Sequence, residues 1–218
     1  MKNFLSIGAG PGIGYATAER FAKEGYRVLL AARNKDKTSK LVERLTSQGF
    51  EAHAYTVDAS VESEVATLIS HVEMHHGAVE VMHYNAANLR NATLAAQPLD
   101  TLVSDLAVNI GGALAAAKSI LPGMADRKAG TILLTGGGFA LAPQPEFLSL
   151  SIGKAGIRAL AHGLFESSKA QGVHVASVTV ATLVQPDSKE ATEIAEAFWA
   201  LHNQKPDSWS VEATYPGE

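Results

Sequence analysis

Seven residues near the start of the chain, Gly8-Ala9-Gly10-Pro11-Gly12-Ile13-Gly14, can hold an anion without a charged side chain. Glycines let the backbone take positive φ and come close to a phosphate. The first free amides of a following helix, with its dipole, favour negative charge there. Arg33 is a second candidate, because a guanidinium ending the next strand, about twenty residues on, can pair with a phosphate on an adenosine ribose. An acidic residue there would instead accept from a free 2′-hydroxyl, and Ala31-Ala32-Arg33-Asn34 contains none. His71, His75 and His76 include a pair at i, i+4, a spacing that binds transition metals, but no third ligand accompanies them, and no metal site is expected.

The glycine turn needs a strand before it and a helix after it, and the chain supplies both. Strand-length apolar runs are predicted at Asn3–Gly8, Arg27–Ala32, Ala52–Val57, Val79–Tyr84, Thr131–Thr135 and His174–Val180. Helical patterns alternate with them: Ile13 to Glu24 ending at Gly25, and Val61 to His76 ending at Gly77, with Val65, Leu68, Ile69 and Val72 on one face. Leu99 to Met124 reads as one long helix whose regular part ends at Pro122, and Glu146 to Ala170 as another. Such alternation predicts βαβ units and a parallel sheet covered on both faces, a Rossmann-type doubly wound α/β domain of about seven strands spanning residues 1–218.

Composition narrows the partners. With 218 residues, 46% of them hydrophobic, the chain can bury one substantial core. A net charge of −4 with scattered basic residues carries no footprint for nucleic acid or anionic membrane. There are no cysteines, which excludes disulfides and thiol catalysis and fits a reducing, cytoplasmic setting. The small-residue run Gly111 to Leu121 is interrupted by Lys118 and is too short to span a membrane.

The G-x-x-x-G-x-G spacing at the N-terminus resembles that of the short-chain dehydrogenase/reductase family, and the likeness extends through most of the chain. The resemblance implies an NADP(H)-binding oxidoreductase acting on a small carbonyl or alcohol. It implies cofactor contacts at Gly8, Gly10, Gly12, Ile13, Gly14 and Arg33, at Asp58 closing the third strand, and at Asn85 and Ala86 in a turn similar to the family's Asn-Ala-Gly. Backbone groups near Val184 are expected to hold the carboxamide, although the family's Pro-Gly turn is here Val180-Ala181-Thr182-Leu183-Val184. Asn109 and Lys154 match two members of the family's catalytic tetrad, and Lys154 is expected on the nicotinamide ribose. The helices carrying them commonly pair subunits in the family, which implies a homodimer or homotetramer.

The other two tetrad members are absent. Four residues before Lys154, where the family has its tyrosine acid/base, stands Leu150; where it has a carbonyl-orienting serine stands Gly137. A positioned general acid/base is worth about 10²–10⁴ in rate and an oxyanion donor about 10²–10³. Two readings follow: an oxidoreductase that has replaced the tyrosine, or a non-catalytic NADP(H)-binding regulatory or partner protein. Ser149 and Ser151 flank Leu150 but diverge from it by about 100° on a helix. Amides of Gly136 to Gly138 offer a backbone nest. The short connection after the sixth strand leaves the nicotinamide end open to solvent.

Overall fold

The computed structural model describes residues 1–217. The strands are β1 (Asn3–Ile7), β2 (Arg27–Ala32), β3 (Ala52–Thr56), β4 (Val79–Tyr84), β5 (Thr131–Thr135), β6 (His174–Val180) and β7 (Glu212–Tyr215). All seven form one parallel sheet in the order β3-β2-β1-β4-β5-β6-β7. The helices are α1 (Ile13–Lys23), α2 (Lys35–Thr46), α3 (Glu62–His76), α4 (Leu99–Leu106), α5 (Gly112–Arg127), α6 (Leu148–Lys169) and α7 (Lys189–His202).

Alternation along each strand sends its side chains to two cores. Leu5, Leu29, Met82 and Ile132 meet Val65, Ile69 and Val72 of α3, Ala116 and Ile120 of α5, and Ile157 of α6. Phe4, Val28, Leu30 and Leu133 meet Ala18 and Phe21 of α1, Leu45 of α2 and Phe198 of α7. Each of these large apolar side chains contributes about 1.5–3 kcal/mol by leaving water. Because both faces are covered, the strands read as continuous apolar runs, which is what made them visible in the sequence.

The predicted long helix requires two corrections. Between α4 and α5 lies a π-helical turn, Ala107–Gly111, in which the Gly112 amide bonds the Ala107 carbonyl. Its cause is the fully buried Tyr84, whose hydroxyl donates to the Val108 carbonyl at 2.6 Å and occupies the acceptor that an α-helix would give to Gly112. A side chain at 112 would collide with that hydroxyl at 2.3 Å, so this crossing needs glycine. Pro122, expected to end the regular helix, lies inside α5, which continues to Arg127. Proline removes one backbone hydrogen bond there, and burial of Ile120 and Met124 on either side holds the helix to the sheet. Leu99–Arg127 is therefore one stretch long and apolar enough to cross a membrane by length and composition, in contrast with the short run read from the sequence; 39% of its most apolar window is buried in this fold.

Other boundaries moved less. α6 starts at Leu148 rather than Glu146, and after β6 the chain adds α7, a 3₁₀ turn at Pro206–Ser208 and β7.

Candidate active site

Sheet order reverses direction between β1 and β4, so the chain leaves these neighbours toward opposite faces and a groove opens at their carboxyl ends. Ile7 is flanked by Ala31 and Tyr84, which sets Gly8, Ala32 and Asn85 side by side at the groove. Gly8 has φ of +86°, and a Cβ there would lie 2.2 Å from the Ala86 amide nitrogen. Gly14 lies so close to Ala9 that a Cβ would be 3.0 Å from its Cα, whereas a Cβ on Gly10 would point into open space. Gly12 precedes α1 without any side-chain cap; the Tyr15 amide is taken by the Gly10 carbonyl at 2.8 Å, and no side chain caps the amides of Ile13 and Gly14 before it. These are the properties a pyrophosphate cradle needs.

A cavity of about 320 Å³ beside the cradle is lined by Gly8 to Gly10, Ala32, Arg33, Val57, Ala59 and Asn85 to Ala87, among others. Arg33 is exposed at its rim and donates to Asn88 Oδ1 at 3.4 Å. The flanking residues Val57 and Ala59 line this cavity but Asp58 does not. Its Oδ1 instead accepts from the Ser60 amide at 2.9 Å and the Ser60 hydroxyl at 2.7 Å. Those bonds, helped by Arg33, hold its pKa below the usual value.

Asn85 joins the cradle to the sheet. Its Nδ2 donates to the Gly8 carbonyl at 2.9 Å while its Oδ1 accepts from the Thr135 hydroxyl at 2.9 Å. With its proton so committed, Thr135 accepts from His83 Nε2 (2.9 Å), which leaves His83 Nδ1 to accept from Ser6 Oγ at 3.3 Å. Complete burial and the nearby Lys154 charge push the His83 pKa down to about 3, so the imidazole is neutral.

A larger cleft of about 590 Å³ continues past the carboxyl ends of β5 and β6. Ile13, Leu150, Lys154 and Val184 line it, together with Gly136 to Gly138 and Phe139. Lys154 is half-buried on the cleft wall with Nζ donating to the Thr135 carbonyl at 2.7 Å. Burial lowers its pKa to about 8. Its stem lies across Gly137: a Cβ at 137 would be 3.1, 3.3 and 3.4 Å from Lys154 Cγ, Cδ and Cε. Leu150, one turn earlier, is 4% exposed. The flanking serines face elsewhere, Ser149 donating to Asp105 and Ser151 to the Phe147 carbonyl. The glycine nest is incomplete, since the Gly136 amide is taken by the Val178 carbonyl at 2.9 Å and Gly138 starts a 3₁₀ turn.

Asn109 stands behind the cleft wall, 2% exposed in the π-helical turn. Its Oδ1 accepts from the Asn88 amide at 2.6 Å and its Nδ2 donates to the Asn88 carbonyl at 3.3 Å, clasping the loop after β4. Gly153 allows α6 to pack here, for a Cβ would be 2.4 Å from Asn109 Cβ. The sequence reading missed Asp105, one turn before Asn109, which is fully buried and accepts from Arg90, Asn88, Gln97 and Ser149. Arg90 above all holds its pKa low. No local signal singled it out, since Asp100 stands on the same short helix with Thr101 and Ser104.

The loop Ala181 to Leu183 is exposed at the cleft mouth. Further along, the Val184 and Gln185 carbonyls come within 3.9 Å of a Cβ built on Gly12, and Asp187 is anchored to Arg44 at 2.7 Å. The His71 and His75 ring centroids lie 4.0 Å apart with the planes tilted by 31°, and His76 pairs with the Tyr55 hydroxyl at 2.6 Å. Among the described residues no three His, Asp or Glu side chains are arranged to hold a metal.

Known proteins carry the same frame. The chain is 29% identical over 217 residues to an uncharacterized oxidoreductase of Staphylococcus aureus (strain MRSA252), covering 94% of this chain and 92% of that one. A metagenomic short-chain oxidoreductase solved in complex with NADP superposes with a TM-score of 0.90 at 23% identity, covering 98% of this chain and 96% of that one. An NAD⁺-bound xylitol dehydrogenase gives 0.89 at 20% identity, covering 98% and 97%. The short chain dehydrogenase family model matches residues 2–195, the stretch that holds the glycine cradle, Asn109 and Lys154, and the chain belongs to that family.

Proposed function

We propose that this chain binds NADP(H) and acts as an oxidoreductase on a small carbonyl or alcohol. The observation that carries the reading is continuity: the uncapped glycine cradle, the Arg33 rim and the Lys154 cleft follow one another along the carboxyl edge of the sheet. Gly8, Gly10, Gly12, Ile13 and Gly14 would hold the pyrophosphate, Arg33 the 2′-phosphate and Asn85 and Ala86 the middle of the molecule. Val184 would meet the carboxamide and Lys154 the nicotinamide ribose, with Asn109 keeping the cleft wall in place. Asp58 would reach the adenine through the carboxylate oxygen not used by Ser60. The bound cofactor would supply the hydride. The metagenomic short-chain oxidoreductase in complex with NADP supports the phosphorylated form, and Arg33, with no acid beside it, supports it independently.

Exposed apolar side chains on the helices that carry Asn109 and Lys154, Leu114 at 51% and Ile152 at 50%, support self-association into a homodimer or homotetramer. A second reading, cofactor occupancy as a signal without turnover, is favoured by Leu150 and Gly137, which leave the cleft without a tyrosine or serine hydroxyl beside Lys154. NADPH and NADH titrations followed by cofactor fluorescence test binding: a preference for NADPH is expected, and equal affinities would remove the Arg33 assignment. NADPH oxidation over a panel of carbonyls, for the natural protein and for Gly137→Ser with Leu150→Tyr, tests turnover. Measurable natural turnover supports the enzyme, and rescue in the double variant alone supports the signalling reading.

A further inference from the structure

We propose that Arg44 and Asp187 are positioning residues for the nucleotide: their ion pair straps the connection between β6 and α7 down against the first turn of α1, beside the glycine cradle. The inference rests on the NADP(H)-binding reading and adds to it two residues that line neither cavity.

The connection has few anchors. Ala181 leaves the sheet with its amide on the Tyr215 carbonyl at 2.7 Å, and Ser188 opens α7 by accepting from the Ala191 amide at 3.1 Å. For residues 182–187 in between, the one hydrogen bond among the described residues runs from Arg44 Nη2 to Asp187 Oδ1, at 2.7 Å and 143 positions apart in the chain. Val184 rests partly buried against the core around Phe4 and Phe21, while Leu183 is 82% exposed. Yet this thinly tied segment reaches the cradle, because the Val184 and Gln185 carbonyls come within 3.9 Å of a Cβ built on Gly12.

Arg44 is supported from below. Its guanidinium lies over the Tyr15 ring, 4.1 Å from the centroid. That ring is buried and its tip is fixed, the hydroxyl donating to Glu19 at 3.0 Å and accepting from Gln48 at 3.1 Å. A planar cation seated on a fixed aromatic face loses little freedom when it pairs. The neighbouring charges have partners of their own, Glu19 with Lys23 at 2.7 Å and Lys189 with Glu193 at 3.0 Å. Asp187 meets the guanidinium from a left-handed backbone, φ +57°, which aspartate enters more readily than most side chains. The pair therefore joins α2 to the start of α7 over Tyr15 on α1, and fixes where the intervening backbone lies beside Gly12.

Release of NADPH, followed by the loss of its enhanced fluorescence on mixing with excess NADP⁺, tests the strap. Arg44→Gln and Asp187→Asn are each expected to release NADPH about fivefold faster, the scale of one exposed ion pair, with association unchanged. Bulk charge would act with opposite signs in the two variants: Asp187→Asn takes a negative charge from beside an anionic ligand, so slower release in that variant overturns the strap. The double variant should release no faster than either single one, and additive effects overturn the pairing. Asp187→Gly keeps the left-handed turn and lacks the carboxylate, so it should match Asp187→Asn; release at the parent rate assigns the position to the turn and overturns the pair. Equal increases in association and release would describe a barrier to entry and overturn positioning.

The strap also has a readout without cofactor. Chymotrypsin cleavage after Leu183, identified by fragment mass, is expected about fivefold faster in Arg44→Gln than in the parent, following the population of the opened connection. Equal cleavage overturns the strap. Failure of the parent to bind NADPH removes the NADP(H) reading and the positioning role with it, while faster cleavage in Arg44→Gln leaves the strap standing as a structural tie. NADPH binding with unchanged release in both single variants removes the strap alone.

Discussion

Arg33 sits exposed at the groove rim with a single long hydrogen bond to Asn88, so its replacement alters what the groove recognises and leaves the fold alone. Arg33→Ala is expected to weaken NADPH binding by about 10–100-fold, the value of one charge-assisted contact, and to leave NADH binding unchanged in a fluorescence titration. Asp105 is the opposite case. Its carboxylate is fully buried under donors from the segment between β4 and α4 and from α6, so Asp105→Ala strands the buried Ser149 hydroxyl and takes one of two acceptors from Gln97 Nε2, which keeps Thr101. A loss of about 2–3 kcal/mol in urea unfolding is expected. Because Arg90 holds its folded pKa below the unfolded value, the contribution is fully present above the unfolded pKa and is lost as pH falls through the folded one. Asp105→Ala should therefore unfold with less acid sensitivity than the parent. Arg33 was legible because its position after a strand has one dominant chemical meaning, whereas Asp105 draws its meaning from partners far away in the chain.

The strand-turn-helix unit at the N-terminus is positioned by contacts that leave no room for a side chain. Gly8 combines positive φ with a 2.2 Å approach to the Ala86 amide, so Gly8→Ala must either shift β1 against the turn after β4 or lose the turn. Destabilisation of at least about 2–3 kcal/mol is expected from the strain alone, measured by urea unfolding, with NADPH binding lost in whatever remains folded. Six of the seven strands were placed to within a residue at either end, because a sheet covered on both faces imposes continuous apolar runs, whereas α2, with only a narrow apolar stripe, was not predicted. The π-helical turn at Ala107–Gly111 was not readable. It follows from one Tyr84 hydroxyl pressing on the helix, and a local pattern carries no trace of that. Pro122 misled for the same reason, since tertiary packing outweighed the local preference to stop. Ser149 and Ser151 diverge from Leu150 by the angular spacing of helical side chains; Ser149 donates to Asp105, and Ser151 donates to the Phe147 carbonyl while accepting from the Gln144 amide.

The molecule as a whole stores two neutral imidazoles that an unfolded chain would protonate. Burial, with Lys154 nearby, takes the His83 pKa from 6.5 to about 3, and burial, with Lys2 and His174, takes that of His202 to about 4. Below pH 6.5 the unfolded chain binds protons that the folded chain refuses, so stability falls with falling pH, by about 1.4 kcal/mol per unit for each group. The melting temperature should hold above pH 7 and drop steeply toward pH 4, with a shallower drop in His83→Gln. Self-association is expected through the α5 and α6 faces, and Leu114→Glu with Ile152→Glu should shift the sedimentation coefficient to that of a monomer while circular dichroism stays unchanged. The sheet order carries a consequence for synthesis. β1 leaves the ribosome first yet lies in the sheet between β2 and β4, so β1, β2 and β3 can pair while the groove still lacks its second wall. The glycine cradle is the earliest part of the site to be made and among the last to become competent, because Asn85 and Ala86, which close it, arrive some eighty residues later. A nascent or truncated chain that stops before β4 would carry the family's most recognisable signature and bind no nucleotide.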